Sequence, residues 1–285
     1  MAVPNENTVI GPIATDHIVI DGLSIRYAVD RRVSSGTPIL LMAPFPESVF
    51  AFLPVWDSFA AMGPVIAVDL PGFGRSDSRQ DLMSPSAMGV FLIKLLDTFE
   101  LDRVHAIVPD VGTLAALFAA STDPKRFASI VAGSGGTAMD LLGEPLVQIA
   151  YSKRSDFAGV DGGEQVVALV RQLARITPPD EVIEDYRMSA LGDRWNEAAD
   201  FIRAYPQDLP RLAELLPNID VPVLVLSGAD DPFVPPSNGE FLKAHLPHCE
   251  ARVIEAGHFA WEDAPEEYAR QATDWIKRHD VGATL

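Results

Sequence analysis

The feature that most constrains this chain is an alternation of two kinds of segment. Short runs dense in Val, Ile and Leu recur between longer stretches whose apolar residues follow a helical period. A fully apolar run has no solvent face, so it is satisfied as a strand covered on both sides, and amphipathic helices are what cover it. The runs fall at 38–42, 64–69, 104–108, 127–132, 221–226 and 251–255, after two opening strands at 17–20 and 24–29. Met88, Phe91, Leu92, Leu95, Leu96 and Phe99 are spaced to form one apolar stripe on a helix, which reads as core. A last helix is expected to begin at Pro265, with Glu266 and Glu267 at its positive end and Tyr268, Ala272, Trp275 and Ile276 on its buried face. The fold class this implies is α/β, a mostly parallel eight-stranded sheet flanked by helices.

The alternation breaks between about 135 and 218, where the sequence turns helical, charged and poor in strands. We read 1–134 and 219–285 as one α/β core and 135–218 as an inserted helical cap domain. An insertion at this point of the order lies over the C-terminal ends of the strands, where open α/β sheets keep their sites. There is no internal repeat and no low-complexity tract.

Composition narrows the partners. The chain has 285 residues, 48% of them hydrophobic, with 22 Lys plus Arg against 40 Asp plus Glu, a formal charge of −18. Such a balance repels nucleic-acid backbones and anionic membranes, and positive charge is concentrated no further than in short pairs such as Lys153-Arg154, so neither a nucleic acid nor a membrane is expected as a partner. A homodimer is left open. A lone Cys249 forms no internal disulfide and no thiolate cluster, so a reducing compartment, a metal-free site and no cofactor are expected. The segment Met1 to Asn7 lacks the basic and apolar regions of a secretory signal, and no apolar stretch is long enough to span a bilayer, which together point to the cytoplasm.

Three segments carry candidate chemistry, each at the C-terminal end of an expected strand. Val104-His105-Ala106-Ile107-Val108-Pro109-Asp110-Val111-Gly112-Thr113 runs from a buried strand into an apolar helix, setting Asp110 at a sharp turn followed by a glycine. Leu226-Ser227-Gly228-Ala229-Asp230-Asp231-Pro232 offers a carboxylate in a loop fixed by Gly and Pro. Ile254-Glu255-Ala256-Gly257-His258-Phe259 sets a histidine just beyond the final strand. Asp110, Asp231 and His258 thus stand in the order nucleophile, acid, base.

With these segments in place the chain resembles the α/β-hydrolase superfamily over nearly its whole length. Asp69-Leu70-Pro71-Gly72-Phe73-Gly74-Arg75-Ser76-Asp77 is similar to a loop of that family, and Gly257-His258-Phe259 followed by Glu262-Asp263-Ala264-Pro265 is similar to its histidine loop. Aspartate in place of serine at the turn points to the branch of epoxide hydrolases and haloalkane dehalogenases. The resemblance implies that the Asp110 carboxylate attacks an electrophilic carbon to give an ester, and that His258, oriented by Asp231, activates water against it. A carboxylate is ionised near neutral pH and can open an epoxide or displace a halide, so the substitution makes chemical sense. The family pattern favours Asp231 over Asp230 as the acid, leaving Asp230 in solvent. The oxyanion donors are expected to be the Val111 and Phe45 N–H groups. Two departures stand out: the family's His-Gly-X-Pro appears as Ala43-Pro44-Phe45-Pro46, and Val108 replaces the usual glycine before the turn.

Val111 and Phe45 also occupy positions where dehalogenases carry side-chain donors for the halide, which weakens that reading unless Trp195 or Trp261 reaches in. Epoxide opening needs acids for the leaving oxygen, commonly cap tyrosines. Tyr205 is the first choice, with Tyr186 and Tyr151 behind it and Trp261 as a pocket wall or core contact. The expected partner is a small apolar electrophile, and the expected activity is closest to that of an epoxide hydrolase. Dehalogenase, esterase, lactonase or lyase chemistry and a non-catalytic ligand binder are the alternatives.

Overall fold

The computed structural model describes residues 7–280. The N-terminal segment read above for a secretion signal lies, apart from Asn7, outside the described residues. The sheet has nine strands: β1 Val9–Ile10, β2 Ile13–Ile20, β3 Leu23–Asp30, β4 Ile39–Met42, β5 Val65–Val68, β6 Val104–Pro109, β7 Phe127–Gly133, β8 Val223–Gly228 and β9 Cys249–Ile254. All eight expected strands are present. The addition is β1, two residues long and paired antiparallel with β2, too short to leave a pattern in the sequence. Across the sheet the order is β1-β2-β3-β5-β4-β6-β7-β8-β9. The pairs from β5 to β9 are parallel, so those strands end on one edge. The order reverses between β4 and β6, the crevice at which open α/β sheets place ligands.

Local signals act as the sequence suggested. Ser84 caps the helix Pro85–Thr98 by accepting the Ala87 N–H, and Pro85 loses nothing in the first turn. Met88, Phe91, Leu92, Leu95 and Leu96 are buried along its stripe. The helix Pro265–His279 buries Tyr268, Ala272, Trp275 and Ile276. β4, β5, β6, β7 and β8 have no exposed residue, as double coverage requires.

Between β7 and β8 the chain forms helices and no strand, the longest being Glu144–Tyr151, Gly162–Leu173, Asp180–Ser189 and Tyr205–Leu215. One buried ionic cluster fastens this insertion to the sheet. Arg26 of β3 is wholly buried; its Nε donates to Asp69 Oδ2 at 2.5 Å, and its Nη1 and Nη2 donate to Asp185 Oδ1 and Oδ2, both at 2.9 Å. Arg75 Nη2 reaches Asp185 Oδ1 at 2.8 Å, and the Ser48 hydroxyl donates to Asp185 Oδ2 at 2.7 Å. Burial alone would lift the Asp185 carboxyl, but Arg26 and Arg75 bring it net below the usual range. Asp69, at the end of β5, also accepts the N–H groups of Val49 and Arg75, each at 2.9 Å. This is why residue 74 is glycine: at φ +50° a Cβ there would stand 2.0 Å from the Asp69 carboxyl.

Removing one partner of a buried pair leaves the other charge uncompensated, at a cost of about 3–5 kcal/mol. Asp185→Ala is therefore expected to lower stability by about that amount, read by urea unfolding. A loss below about 1 kcal/mol, the range of an exposed pair, would contradict this account of the cluster.

Candidate active site

β6 ends at Pro109, the helix Val111–Thr122 begins two residues later, and Asp110 makes the turn with φ 54° and ψ −124°. A non-glycine residue rarely holds such a conformation, and here the surroundings enforce it. The Asp110 N–H donates to Gly133 O at 2.8 Å, the Thr113 N–H donates back to Asp110 O at 3.0 Å, and the Thr113 hydroxyl donates to Val108 O at 2.8 Å. Val108 fits because residue 112 has no side chain: a Cβ on Gly112 would lie 3.3 Å from the Val108 and Met42 Cβ atoms. The room that the Val108 side chain needs at this turn is thus left by the glycine four residues later.

The two carboxyl oxygens of Asp110 have different surroundings. Oδ2 accepts the Phe45 N–H at 2.7 Å, and the Val111 N–H also holds the carboxylate. Oδ1 faces His258 Nε2 at 3.9 Å. Desolvation pushes the Asp110 pKa up to about 6, against the opposing pull of His258 and the two N–H groups. The loop Ala43-Pro44-Phe45-Pro46, though it lacks the family's His and Gly, still aims its Phe45 N–H at this oxygen.

His258 Nδ1 lies 2.8 Å from Asp231 Oδ2. A carboxylate there only accepts, so the Nδ1 proton is fixed and Nε2 presents its lone pair toward Asp110. Asp231 Oδ1 accepts the N–H groups of Phe233 and Val234, both at 2.9 Å, which orients the carboxylate. Burial pulls the His258 pKa down, but Asp231 and then Asp110 carry it net above the ordinary value. The acid and histidine loops touch at Gly228, where a Cβ would fall 1.9 Å from Gly257 O. Ser134, just past β7, donates to His258 O at 3.0 Å, and Asp263 accepts the Gly257 N–H at 2.9 Å. Asp230 is largely exposed and pairs with Arg175.

Asp110 and His258 open on a cleft of about 450 Å³, its mouth included, walled by Phe45, Leu146, Ile149, Leu173, Trp195 and Phe233 among others. The aromatic candidates separate. Tyr205 is not among the cleft walls; it is buried against Phe201, makes no hydrogen bond among the described residues, and lies near enough to Asp110 for that charge, after burial, to push its pKa well up. Tyr186 lies apart from the cleft walls, its hydroxyl donating to Glu262 Oε1 at 2.9 Å. Tyr151 is 67% exposed and is not a pocket residue. Trp261 is buried core against Phe259 and Tyr268 and does not reach in, whereas Trp195 is a wall of the cleft. The differences have one cause: periodicity says which side chains are buried, and only the packing of the insertion says against what.

Asp110 and Asp231, the acids expected in the site, are both buried. The structure also buries Glu47, Asp69, Asp185, Asp208, Glu262 and Asp263. Glu47, directly after Pro46, and Glu262, within the histidine-loop segment, stood beside the quoted motifs, which was their one signal. Cys249 is half-buried, and burial pushes its thiol up to about 12. Among the described residues no group of His, Cys, Asp and Glu is arranged to hold a metal ion, and no helix is long and apolar enough to cross a membrane.

Residues 39–271 match the profile of the alpha/beta hydrolase family. A 2-hydroxy-6-oxononadienedioate/2-hydroxy-6-oxononatrienedioate hydrolase of Burkholderia vietnamiensis is 30% identical over 241 residues, 78% of this chain and 80% of that protein. Among solved structures, the epoxide hydrolase CorEH superposes with a TM-score of 0.76 at 18% identity, covering 93% of this chain and 99% of that one. A thermophilic esterase from Thermogutta terrifontis gives a TM-score of 0.76 at 21% identity, covering 94% and 99%.

Because the folded pKa of Asp110, about 6, stands above the usual carboxylate value, its charge costs stability as pH rises from the unfolded pKa to the folded one, and the penalty is constant above that. Asp110→Asn is expected to gain about 3 kcal/mol at pH 8 and only about 0.5 kcal/mol at about pH 4, where folded Asp110 is protonated and the unfolded residue about half so. Denaturant unfolding at the two pH values checks this, and an equal effect at both would refute it.

Proposed function

Because the chain belongs to the alpha/beta hydrolase family, we propose that it hydrolyses a small apolar electrophile, an epoxide in the first place, through an ester on Asp110. The observation that carries this reading is the unequal setting of the Asp110 oxygens. Oδ2 lies against the Phe45 N–H, so Oδ1 is left free toward the cleft and His258. In this mechanism Oδ1 attacks an epoxide carbon while Tyr205 protonates the departing oxygen. Esterification removes the Asp110 charge, and with it one of the interactions that raise the His258 pKa, which makes His258 a readier base for water. Water then adds to the ester carbon, the negative charge grows on Oδ2, and the Phe45 and Val111 N–H groups stabilise it. The Cγ–Oδ1 bond then breaks: Oδ1 leaves as one hydroxyl of the vicinal diol, the water oxygen takes its place in the Asp110 carboxylate, and the two water protons go to that hydroxyl and back to Tyr205.

The helical insertion acts as a cap in this reading, its Leu146, Ile149, Leu173 and Trp195 walling an apolar cleft that suits an uncharged substrate. The Burkholderia vietnamiensis relative is named for a dicarboxylate, and no Lys or Arg lines this cleft to receive one. A hydroxyl nucleophile also has no obvious source: Thr113 is committed to Val108 O, and Ser134 to His258 O. A second reading, dehalogenation, draws on Trp195, which lines the cleft and whose indole N–H makes no hydrogen bond among the described residues.

In a His258→Gln variant the ester should accumulate, and mass spectrometry after incubation with styrene oxide should find the adduct on the Asp110 peptide. An unlabelled Asp110, with the wild type consuming that epoxide, would sink the mechanism. Tyr205→Phe should cut epoxide turnover by roughly 10²–10⁴. If 1-bromobutane is turned over and Trp195→Phe, not Tyr205→Phe, abolishes that turnover, the dehalogenase reading replaces this one. Below pH about 6 the rate should fall as Asp110 takes up its proton, so an acid limb is expected in kcat/KM.

A further inference from the structure

Behind the cleft, two glutamates are buried where the ester mechanism has no task for them. Glu47 is wholly buried next to the Phe45-Pro46 segment, and neither of its carboxyl oxygens has a hydrogen-bond partner when it is taken as an anion. Glu262, four residues after His258, is 4% exposed; its Oε1 accepts the Tyr186 hydroxyl and its Oε2 has no partner. The Trp261 indole N–H is orphaned beside them. Buried polar groups in a folded protein are almost always paired, so several orphans in one place point to something shared among them.

One proton resolves the cluster. Two carboxylates side by side in a dry site cannot both ionise, and the Glu47 and Glu262 carboxyls are within hydrogen-bonding reach of each other. Tyr186 donates to Glu262 and so favours the anion there; the proton then belongs on Glu47, which donates it to Glu262 Oε2, while the Trp261 N–H stands near Glu47 short of hydrogen-bond geometry. We propose that Glu47 and Glu262 are a positioning pair that shares a single proton and cross-links the loop bearing the Phe45 N–H to the loop bearing His258. Tyr186, through its own hydroxyl proton, extends the link to the helical insertion, so three separate pieces of chain meet at the pair.

The electrostatics agree with the geometry. Burial, then Glu262 and Asp110, raise Glu47 well above the usual carboxylate range, while Glu262 is pushed up to about 7, chiefly by burial. The groups acting on the pair are Asp110 from the elbow, Trp261 and Asp263 from the histidine loop, and Tyr186 from the insertion. None of these is a cation, and the nearest arginines, Arg26 and Arg75, are already paired with Asp185. Loss of the shared proton therefore puts like charges on the two loops and drives them apart. Glu262 also lines a shallow crevice with Leu53, Pro54 and Ile176, which gives the pair a route to exchange protons with solvent.

The role in turnover rests on the proposed ester chemistry, but the shared proton does not, and the test keeps them separate. Without substrate, the infrared spectrum of the wild type at neutral pH should contain a protonated-carboxyl band that Glu47→Gln removes. The melting temperature of the wild type should fall from pH 6 to pH 9, and that of Glu47→Gln should fall less, because the amide donates to Glu262 and cannot ionise. With styrene oxide, kcat of the wild type should drop on the alkaline side. Glu47→Ala should lower kcat by roughly tenfold with little change in KM, and Glu47→Gln should recover most of that loss and flatten the alkaline limb. Absence of the infrared band, or parallel melting curves, overturns the shared proton whatever Asp110 does. If both are as expected but Glu47→Gln is no better than Glu47→Ala, the positioning role is overturned.

Discussion

A carboxylate held out of water at the end of β6 is the constraint around which this molecule is built. Desolvation works against its charge, and two backbone N–H groups and a histidine work for it, so its pKa settles at about 6. Each of those partners comes from a different loop: Phe45 follows β4, Val111 opens the helix after β6, and His258 follows β9, itself oriented by Asp231 after β8. A parallel sheet is what brings four such loops to one edge. The unusual backbone at Asp110 belongs to the same arrangement, because the strand must turn into its helix sharply enough to leave the carboxyl at the floor of the cleft.

Polar contacts also decide how the insertion sits on that edge. Its apolar residues fill the space above Asp110, but apolar contact is not directional, and many placements would bury similar area. Asp185 selects among them, since it is satisfied only where Arg26, Arg75 and Ser48 converge. Tyr186, its neighbour in the chain, meets Glu262 of the histidine loop. Two adjacent residues of one helix thus connect the insertion to the sheet on one side and to the histidine loop on the other. The same placement puts Trp195 in the cleft wall and leaves Tyr151 in solvent.

What was legible in the sequence was whatever depends on neighbours along the chain. Strands covered on both faces must be continuously apolar, so β4 to β8 announced themselves, and their C-terminal ends marked where Asp110, Asp231 and His258 would stand. The Asp110 turn was readable because a strand, an acid, a glycine and a helix follow one another without a gap. The two-residue β1 was not, because it is too short to carry a period. Nor could the sequence separate Tyr205, Tyr186 and Tyr151, which share one composition and one region but meet three different environments.

By itself, then, the sequence determined the α/β alternation, the order of the chemical groups and the edge on which they gather, because each follows from local periodicity and the geometry of parallel strands. Tertiary structure alone decided which oxygen of Asp110 meets Phe45, which aromatics of the insertion border the cleft, and that Glu47 and Glu262 share one dry site. Those outcomes depend on pairs such as Arg26 with Asp185 and Tyr186 with Glu262, 159 and 76 residues apart. No local pattern records such contacts. They exist only once desolvation has forced every buried charge to find a partner.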